Sequence, residues 1–503
     1  MSAGQADGLA AGMEQGSRAL AQTEPRPGRL WGGGAVGVAF VIFLWWEFLH
    51  RGVYAYSTAL YPFDDADEWR YTACSRLVEH GYSLFDQVFS AQPPLFFLSL
   101  ASGMRLFGDS ITGARATEII FGAVALGATA WTAYEFAGPI AAGAAALALA
   151  VSPAFLIYSH TVEAEVPMMA FVTLSLALAL AYRRTDRLAL LVLSGLSLAA
   201  ATLIKLFALE AVLPVFWMIA VQSPSRRNLT RDVAVFGASA VLPVLIELAL
   251  VSPRQQWQQV VTLHDRVAGL HLPNLVPPTT ILKEFLTFDA GLTAVALAGL
   301  LTVILARRIG DAVFLGLWSV GDLTMLLVFR PLFPHHAAIL SSSLAVCAGV
   351  GAGVVAERWR EKSWLSAPLV AAALAYLALL PRLAHADLRT LQTPPPSSLS
   401  VLAAYVQRTT PTTAFVASDN VRVAEQAHRL VPPPLCDPSN VRLLAGFMTA
   451  GDLITATERY RAQLVIPLGN YNSVPAYLRW VKAHYRPVQV LGGGLVYRRR
   501  PGL

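Results

Sequence analysis

Charge is scarce in this chain. Only 14% of its 503 residues are Asp, Glu, Lys or Arg, while 55% are hydrophobic. A water-soluble protein of this length would divide into several domains and need about a quarter of its residues charged to solvate their surfaces, so that class is excluded. Cysteine is scarcer, at three residues, which excludes a small disulfide scaffold. Cys74, Cys347 and Cys436 have no metal-type spacing and read as small apolar residues, with a Cys74–Cys436 disulfide as the alternative. Nucleotide-binding loops are missing as well: no Gly-x-x-x-x-Gly-Lys-Ser/Thr occurs and no Gly-x-Gly-x-x-Gly follows a strand, so a nucleotide sugar or ATP is not the expected substrate. The net charge of +6 sits in short arginine clusters between apolar runs, the pattern of cytoplasmic loops rather than of a nucleic-acid surface. What remains is a polytopic membrane protein.

Residues 1 to 30, rich in Gly, Ala, Gln and Pro, read as a disordered cytoplasmic tail. The run from Trp31 to Phe48 has no small-residue cleavage site and is the first expected span. Further apolar runs of near-spanning length lie at 112–133, 138–157, 165–182, 187–203, 205–222, 232–251, 290–306, 311–329, 335–355 and 364–381, about eleven spans in all. Arg183, Arg184 and Arg187, then Arg226, Arg227 and Arg231, then Arg307 and Arg308, then Arg358, Arg360 and Lys362 fall in alternate short loops, which places those loops and the N-terminus inside. Loops 53–111 and 252–289 and everything after residue 381 are then outside. A Pro-rich linker (382–398) leads to a small outer domain, 399–503. Its short apolar strands (414–417, 464–467, 488–491, 495–497) alternate with helical stretches (421–430, 451–461, 474–484), an α/β pattern.

The first outer loop is the most informative stretch. In Phe63-Asp64-Asp65-Ala66-Asp67-Glu68-Trp69-Arg70-Tyr71, four carboxylates stand within five positions just beyond a span. A helical pattern through Trp69, Ala73 and Leu77 ends at Gly81, a suitable C-terminal cap. Asp64 or Asp65 then caps the helix and Asp67 and Glu68 occupy its first turn, where the helix dipole keeps carboxylates ionised. Such a group suits a general base that takes a proton from an attacking hydroxyl; a solvated capping cluster is the plain alternative. Next, Pro93-Pro94 opens an apolar run ending at Gly108, too short to span and long enough to lie in the interface.

The string Asp67-Glu68-Trp69-Arg70-Tyr71, with Ala73, Gly81, Pro93-Pro94-Leu95, Phe107-Gly108 and Gly113-Ala114-Arg115, resembles the first outer loop of C-type glycosyltransferases, in particular the family 39 and 83 group with its protein O-mannosyltransferases and lipid A aminoarabinose transferase. The likeness runs on through Ser152-Pro153, Glu163 and Glu165 to Thr202 and Lys205. It implies a membrane enzyme that takes a sugar from a polyprenyl-phosphate carrier and passes it to an outer-face acceptor, with the catalytic carboxylate on Asp67 and Glu68 as helper. Relatives often carry Lys or His just before the Pro of the second motif, and this chain has Gln92, so the carrier phosphate must find positive charge elsewhere. Lys205 and the Arg330-Pro-Leu-Phe-Pro-His335-His336 stretch are the candidates. Against them stand a lysine snorkelling to the interface and a metal shared by the two histidines, which adjacent positions on a helix would point apart. Glu165, with Glu163, matches a position where the family orients the acceptor or binds a divalent ion such as Mg or Mn; no cofactor is certain. Arg115 and Glu118, three apart, read as a pair on one helix face.

The expectation is therefore a C-type fold of about eleven spans, set in the plasma membrane with an extracytoplasmic α/β domain. Its expected activity is inverting transfer from a polyprenyl-phosphate sugar to a hydroxyl on a lipid, glycan or protein. The alternative, a transporter or flippase of lipid-linked sugars, would show internal repeats and Gly- or Pro-broken spans at the midplane, whereas no repeat is apparent and the ionisable residues gather at the outer rim. A non-catalytic scaffold leaves the acidic string unexplained. The C-terminal domain offers Asp419-Asn420, Asp437 and Asn470-Tyr471-Asn472 as polar clusters, but no nucleophile and base at interpretable spacing, so its expected role is acceptor recognition or packing over the outer loops.

Overall fold

The computed structural model describes residues 27–49, 66–222, 226–270, 276–375, 378, 397–491 and 494–501. Asp64, Asp65, residues 1–26 of the expected disordered tail and most of the Pro-rich linker lie outside the described residues, while 27–30, expected as the end of that tail, begin the helix Pro27–Leu44. Each expected span that can be described overlaps helix, but 138–157 is interrupted at Val151-Ser152 and 205–222 opens with the 3-10 segment Leu206–Ala211. Among the described residues five helices are long and apolar enough to cross a membrane: Ile111–Ala150, Glu165–Thr185, Asn228–Leu250, Ile309–Val328 and Pro334–Arg358. Ala290–Leu305 joins Pro278–Phe288 across an 87° bend, and shorter apolar helices include Leu188–Ile204 and Leu206–Val221.

The 40-residue helix Ile111–Ala150 is two helices. Ala137 (φ −143°) and Gly138 (φ 74°, ψ −164°) break it, a conformation that only glycine adopts without strain, and Pro139 opens the second half. A Cβ added at Gly122 would lie 2.9 Å from both the Ser159 Cβ and the Phe43 Cζ. Residues 37 positions apart could not meet on a straight rod rising about 1.5 Å per residue, so the chain reverses at 137–138. Small residues let the helices approach: Gly299 and Gly351 face each other, and Gly353 lies on Ala137.

Side-chain pairs show which turns share an end of the bundle. Arg308 donates to the Phe136 carbonyl (2.6 Å) and pairs with Glu357, Arg184 pairs with Glu135, Arg183 with Asp311, and Arg358 donates to the Ala306 carbonyl. The arginine-bearing turns thus gather at one end, as their alternation in sequence requires. At the other end Glu47 accepts from Ser159, Asp289 caps Ser152 and Ala154, and Glu68 accepts from the Val162 N–H.

Residues 397–501 form an α/β unit at that second end. Strands β1 (Val416–Ser418), β2 (Leu464–Ile466), β3 (Tyr485–Leu491) and β4 (Gly494–Arg499) lie in the order β1-β2-β4-β3, the first pair parallel and the others antiparallel. The three-residue strands β1 and β2 are wholly buried, which is why they read as continuous apolar runs. The unit docks on helix Ala66–Glu79 through Arg422 over the Trp69 ring, Arg76 to Glu425 at 3.6 Å and a Cys74–Cys436 disulfide with Cα atoms 5.2 Å apart. Two of the three cysteines are therefore not the plain apolar residues their spacing suggested. Their partnership depends on a contact across 362 positions that only the fold creates. Cys347 is the buried, free one.

Candidate active site

Helix Ala66–Glu79 presents Asp67 and Glu68 in its first turn. Consecutive residues on a helix point about 100° apart, and the two carboxylates go to different places. Asp67 is half-buried and faces a cleft with Arg70, Tyr71, Gln92, His264 and His335. Arg70 Nη1 donates to Asp67 Oδ1 at 2.5 Å and its Nε lies 3.8 Å from Asp437 of the C-terminal unit. Burial would lower the Arg70 pKa, but Asp67 and Asp437 raise it further, so the guanidinium stays charged between them. Burial, then the Asp67, Glu163 and Glu165 carboxylates, push the Tyr71 phenol well above its usual range. Tyr71 stays protonated and accepts a hydrogen bond from Gln92 Nε2 at 3.2 Å.

Glu68 turns inward and is buried. It accepts two parallel bonds from Arg115, Nε to Oε1 and Nη2 to Oε2 at 2.7 Å each, and a third from the Val162 N–H at 3.2 Å. It does not line the cleft. Arg115 was expected to pair with Glu118 on its own helix; it reaches across to Glu68 instead, because its planar fork fits a carboxylate held face-on. Glu118 is left wholly buried, and among the described residues neither of its oxygens has a hydrogen-bond partner.

Of the residues expected to meet the phosphate, Lys205, His335 and His336 converge with the acidic pair 163 and 165, and Arg330 does not. Lys205 ends helix Leu188–Ile204 and makes a buried ion pair with Glu165, so its charge is already matched. His335 Nδ1 lies 3.7 Å from Glu163, and His335 and His336 Nε2 lie 4.0 and 3.6 Å from the same Glu165 oxygen. Adjacent histidines were expected to diverge. In the tight turn Pro334–Ile339 their rings stand 4.5 Å apart and both reach Glu165. Glu165, His335 and His336, and likewise Asp67, Glu163 and His335, offer ligand atoms all within 4.8 Å of one another. Carboxylate with imidazole is a donor set that suits a divalent ion, so these side chains fit one.

Arg330 is half-buried. It spends Nη1 on the Leu327 and Phe329 carbonyls and lines an apolar groove of about 980 Å³ together with Lys205, Leu206, Val260 and Met325. Ala91, Gln92, His264 and Phe329 line both groove and cleft, forming a shared wall. His264 donates its Nδ1 proton to the Val260 carbonyl at 2.7 Å, which leaves Nε2 as an acceptor, and burial keeps the ring neutral.

Sequence reasoning passed over two participants. Arg70, three positions from Asp67, was legible as a helix-face partner. Asp437 was noticed only as one of several polar positions. The companion cluster has another use: Asp419 accepts from the backbone N–H of Leu468, Gly469 and Tyr471 at 2.7 Å each, and Asn470 bonds the Pro438 carbonyl. Those residues hold loops in place, while Asp437 reaches the cleft.

Comparison with known proteins bears on the fold that carries these residues. Residues 91–257 match the dolichyl-phosphate-mannose-protein mannosyltransferase family model. No curated protein sequence matches the chain. Among solved structures it is similar to ArnT from Cupriavidus metallidurans bound to undecaprenyl phosphate, at a TM-score of 0.62 and 16% identity over 94% of this chain and 98% of that one. It is also similar to the Archaeoglobus fulgidus oligosaccharyltransferase in its apo form, at 0.58 and 14% over 94% and 75%. A third likeness is to that enzyme, AglB, in complex with an inhibitory peptide and a dolichol-phosphate, at 0.57 and 13% over 94% and 74%. The chain is thus built on the C-type glycosyltransferase fold, and within it residues 91–257 match the dolichyl-phosphate-mannose-protein mannosyltransferase family.

Proposed function

We propose that this protein transfers a sugar from a polyprenyl-phosphate carrier to an acceptor hydroxyl at the outer face of the membrane. The observation that carries the reading is the shared wall of Ala91, Gln92, His264 and Phe329. It sets an apolar groove, suited to an isoprenoid chain, beside the cleft that holds the Asp67 carboxylate. The arginine-bearing turns lie at the opposite end of the bundle, which by the positive-inside rule supports an outer-side site. A disulfide at the site's own end, joining Cys74 and Cys436, favours the oxidising side as well.

Asp67 takes the proton of the acceptor hydroxyl as its oxygen bonds to the anomeric carbon. The bond from that carbon to the phosphate oxygen breaks, the carrier leaves as polyprenyl phosphate and the anomeric configuration inverts. Charge building on the phosphate is met by Arg330 at the groove, and by Lys205 where the phosphate displaces Glu165, with His335 and His336 beside it. A divalent ion held by Glu165, His335 and His336 would add positive charge at that point. Glu68 acts by holding the helix that carries Asp67. Purified protein in lipid, given polyprenyl-phosphate sugars of several head groups, should release polyprenyl phosphate in an acceptor-dependent way. Asp67→Asn should lower that rate by at least about a hundredfold while leaving the protein folded. Wild-type turnover of that variant would remove Asp67 from the reaction.

A further inference from the structure

The C-terminal unit does more than cover the outer loops. Its segment 434–442 is fastened in two directions. Arg442 Nη1 donates to the Pro434 and Asp437 carbonyls and Asn470 to the Pro438 carbonyl, which tie the segment into its own unit. Cys436 is bonded to Cys74, Arg442 lies 3.7 Å from the centre of the Phe89 ring, and Asp437 faces Arg70, which tie it to the first outer loop. The Asp437 carboxylate is itself oriented by accepting from the Ser439 N–H at 3.0 Å. A chain of contacts therefore runs from a disulfide through Asp437 and Arg70 to Asp67, all anchored on helix Ala66–Glu79, where Arg70, Asp67 and Cys74 are neighbours.

We propose that Asp437 is a positioning residue of the transfer reaction. Held by the Cys74–Cys436 bond, it takes a share of the Arg70 guanidinium, so that Arg70 orients Asp67 without closing on it as its only partner. This rests on the reading of Asp67 as the reacting carboxylate. The physical reason is the geometry of an arginine placed between two carboxylates. With Asp437 present, the guanidinium is drawn from two sides and fixed. With Asp437 neutral, the guanidinium, already bonded to Asp67 Oδ1 through Nη1, loses the pull on its Nε side and can close further on Asp67, covering the second oxygen, which must receive a proton. The disulfide sets Asp437 at the required distance, because it bonds the residue before Asp437 to the helix that bears Arg70. Among the described residues none of the C-terminal unit lines the apolar groove, so donor binding is expected to survive changes here.

The test compares full-length wild type, Asp437→Asn, Asp437→Glu, Cys436→Ser and the double variant Cys436→Ser/Asp437→Asn in lipid nanodiscs, with Asp67→Asn as reference. Polyprenyl-phosphate release, donor affinity and thermal unfolding are measured on each. Asp437→Asn should lower kcat by about ten- to hundredfold, the scale of a misplaced reacting group, with donor affinity unchanged. Asp437→Glu should recover part of the loss. Cys436→Ser, and wild type treated with a reductant, should fall to a similar rate, and the double variant should be no slower than Asp437→Asn, since coupled residues are not additive. Wild-type kcat in Asp437→Asn overturns the inference, and so do multiplying losses in the double variant or an Asp437→Glu no better than Asn. Losses that track the unfolded fraction overturn it too. An active Asp67→Asn overturns the reading of Asp67 and this inference with it, whereas an inactive Asp67→Asn beside a normal Asp437→Asn removes the inference alone.

Discussion

Arg115→Leu separates the structural from the chemical use of the acidic string. The wild-type Glu68 carboxylate is 1% exposed and accepts two bonds from Arg115 and one from the Val162 N–H. Removing the guanidinium leaves a buried charge with one neutral donor, close to the wholly buried Glu118. Breaking a buried ion pair on one side costs about 3–5 kcal/mol, and the surviving Val162 bond offsets about 1 kcal/mol of that. Arg115→Leu should therefore destabilise the protein by about 3 kcal/mol, a large part of the margin by which a domain stays folded. The double variant Glu68→Gln/Arg115→Leu removes both charges and should recover most of that loss, since a neutral pair carries no uncompensated ion. Thermal unfolding in nanodiscs, followed by tryptophan fluorescence, gives the cycle, with sugar transfer measured on the same samples. If Arg115→Leu melts with the wild type, or the double variant melts no higher than the single, the pair is not what holds this corner together. A folded double variant that transfers within about tenfold of wild type assigns Glu68 a holding role. Loss of transfer beyond about a hundredfold, the scale of a missing general acid or base, would return it to the reacting groups.

Other outcomes follow from the same geometry. Cysteines introduced near Arg184, Arg227 and Arg308 should react only with membrane-permeant thiol reagents, and one near Asn472 should label from outside; labelling of the last only after lysis would reverse the orientation. A chain ending near Arg389 should keep polyprenyl-phosphate binding, because the groove contains no residue of the C-terminal unit, and should lose transfer to acceptor; loss of donor binding in a folded truncation would refute that division. Burial pushes Glu425 up to about 7 from its usual 4.5, with Arg76 opposing the rise and Asp109 adding to it. A raised carboxyl pKa favours the protonated folded form, so this contribution is full below about pH 4.5 and is lost as pH climbs through about 7. Limited proteolysis should show the C-terminal unit released more readily across that window, and Glu425→Gln should flatten the dependence.

Amphipathy and length placed the helices because a hydrocarbon core imposes its thickness on the sequence directly. The division of the long helix was legible as the gap between the runs 112–133 and 138–157, and the structure puts the turn at Ala137-Gly138, where glycine takes the positive φ. The alternation of arginine loops set relative sidedness, and the packed arginines at one end agree with it. Asp67 was readable from a local string, since a carboxylate in a first helical turn needs only its own segment to place it. Partnerships were not readable. Glu68 and Arg115 are 47 positions apart and Lys205 and Glu165 are 40 apart, and nothing in either member of a pair names the other; the Cys74–Cys436 bond, across 362 positions, stood only as the alternative to plain apolar residues. Whether a buried charge is free or matched depends on which helices pack together. The tertiary structure therefore decided that Lys205 arrives already paired, that His335 and His336 converge on Glu165, and that Asp437, one polar residue among many in the sequence, stands beside Arg70 in the cleft.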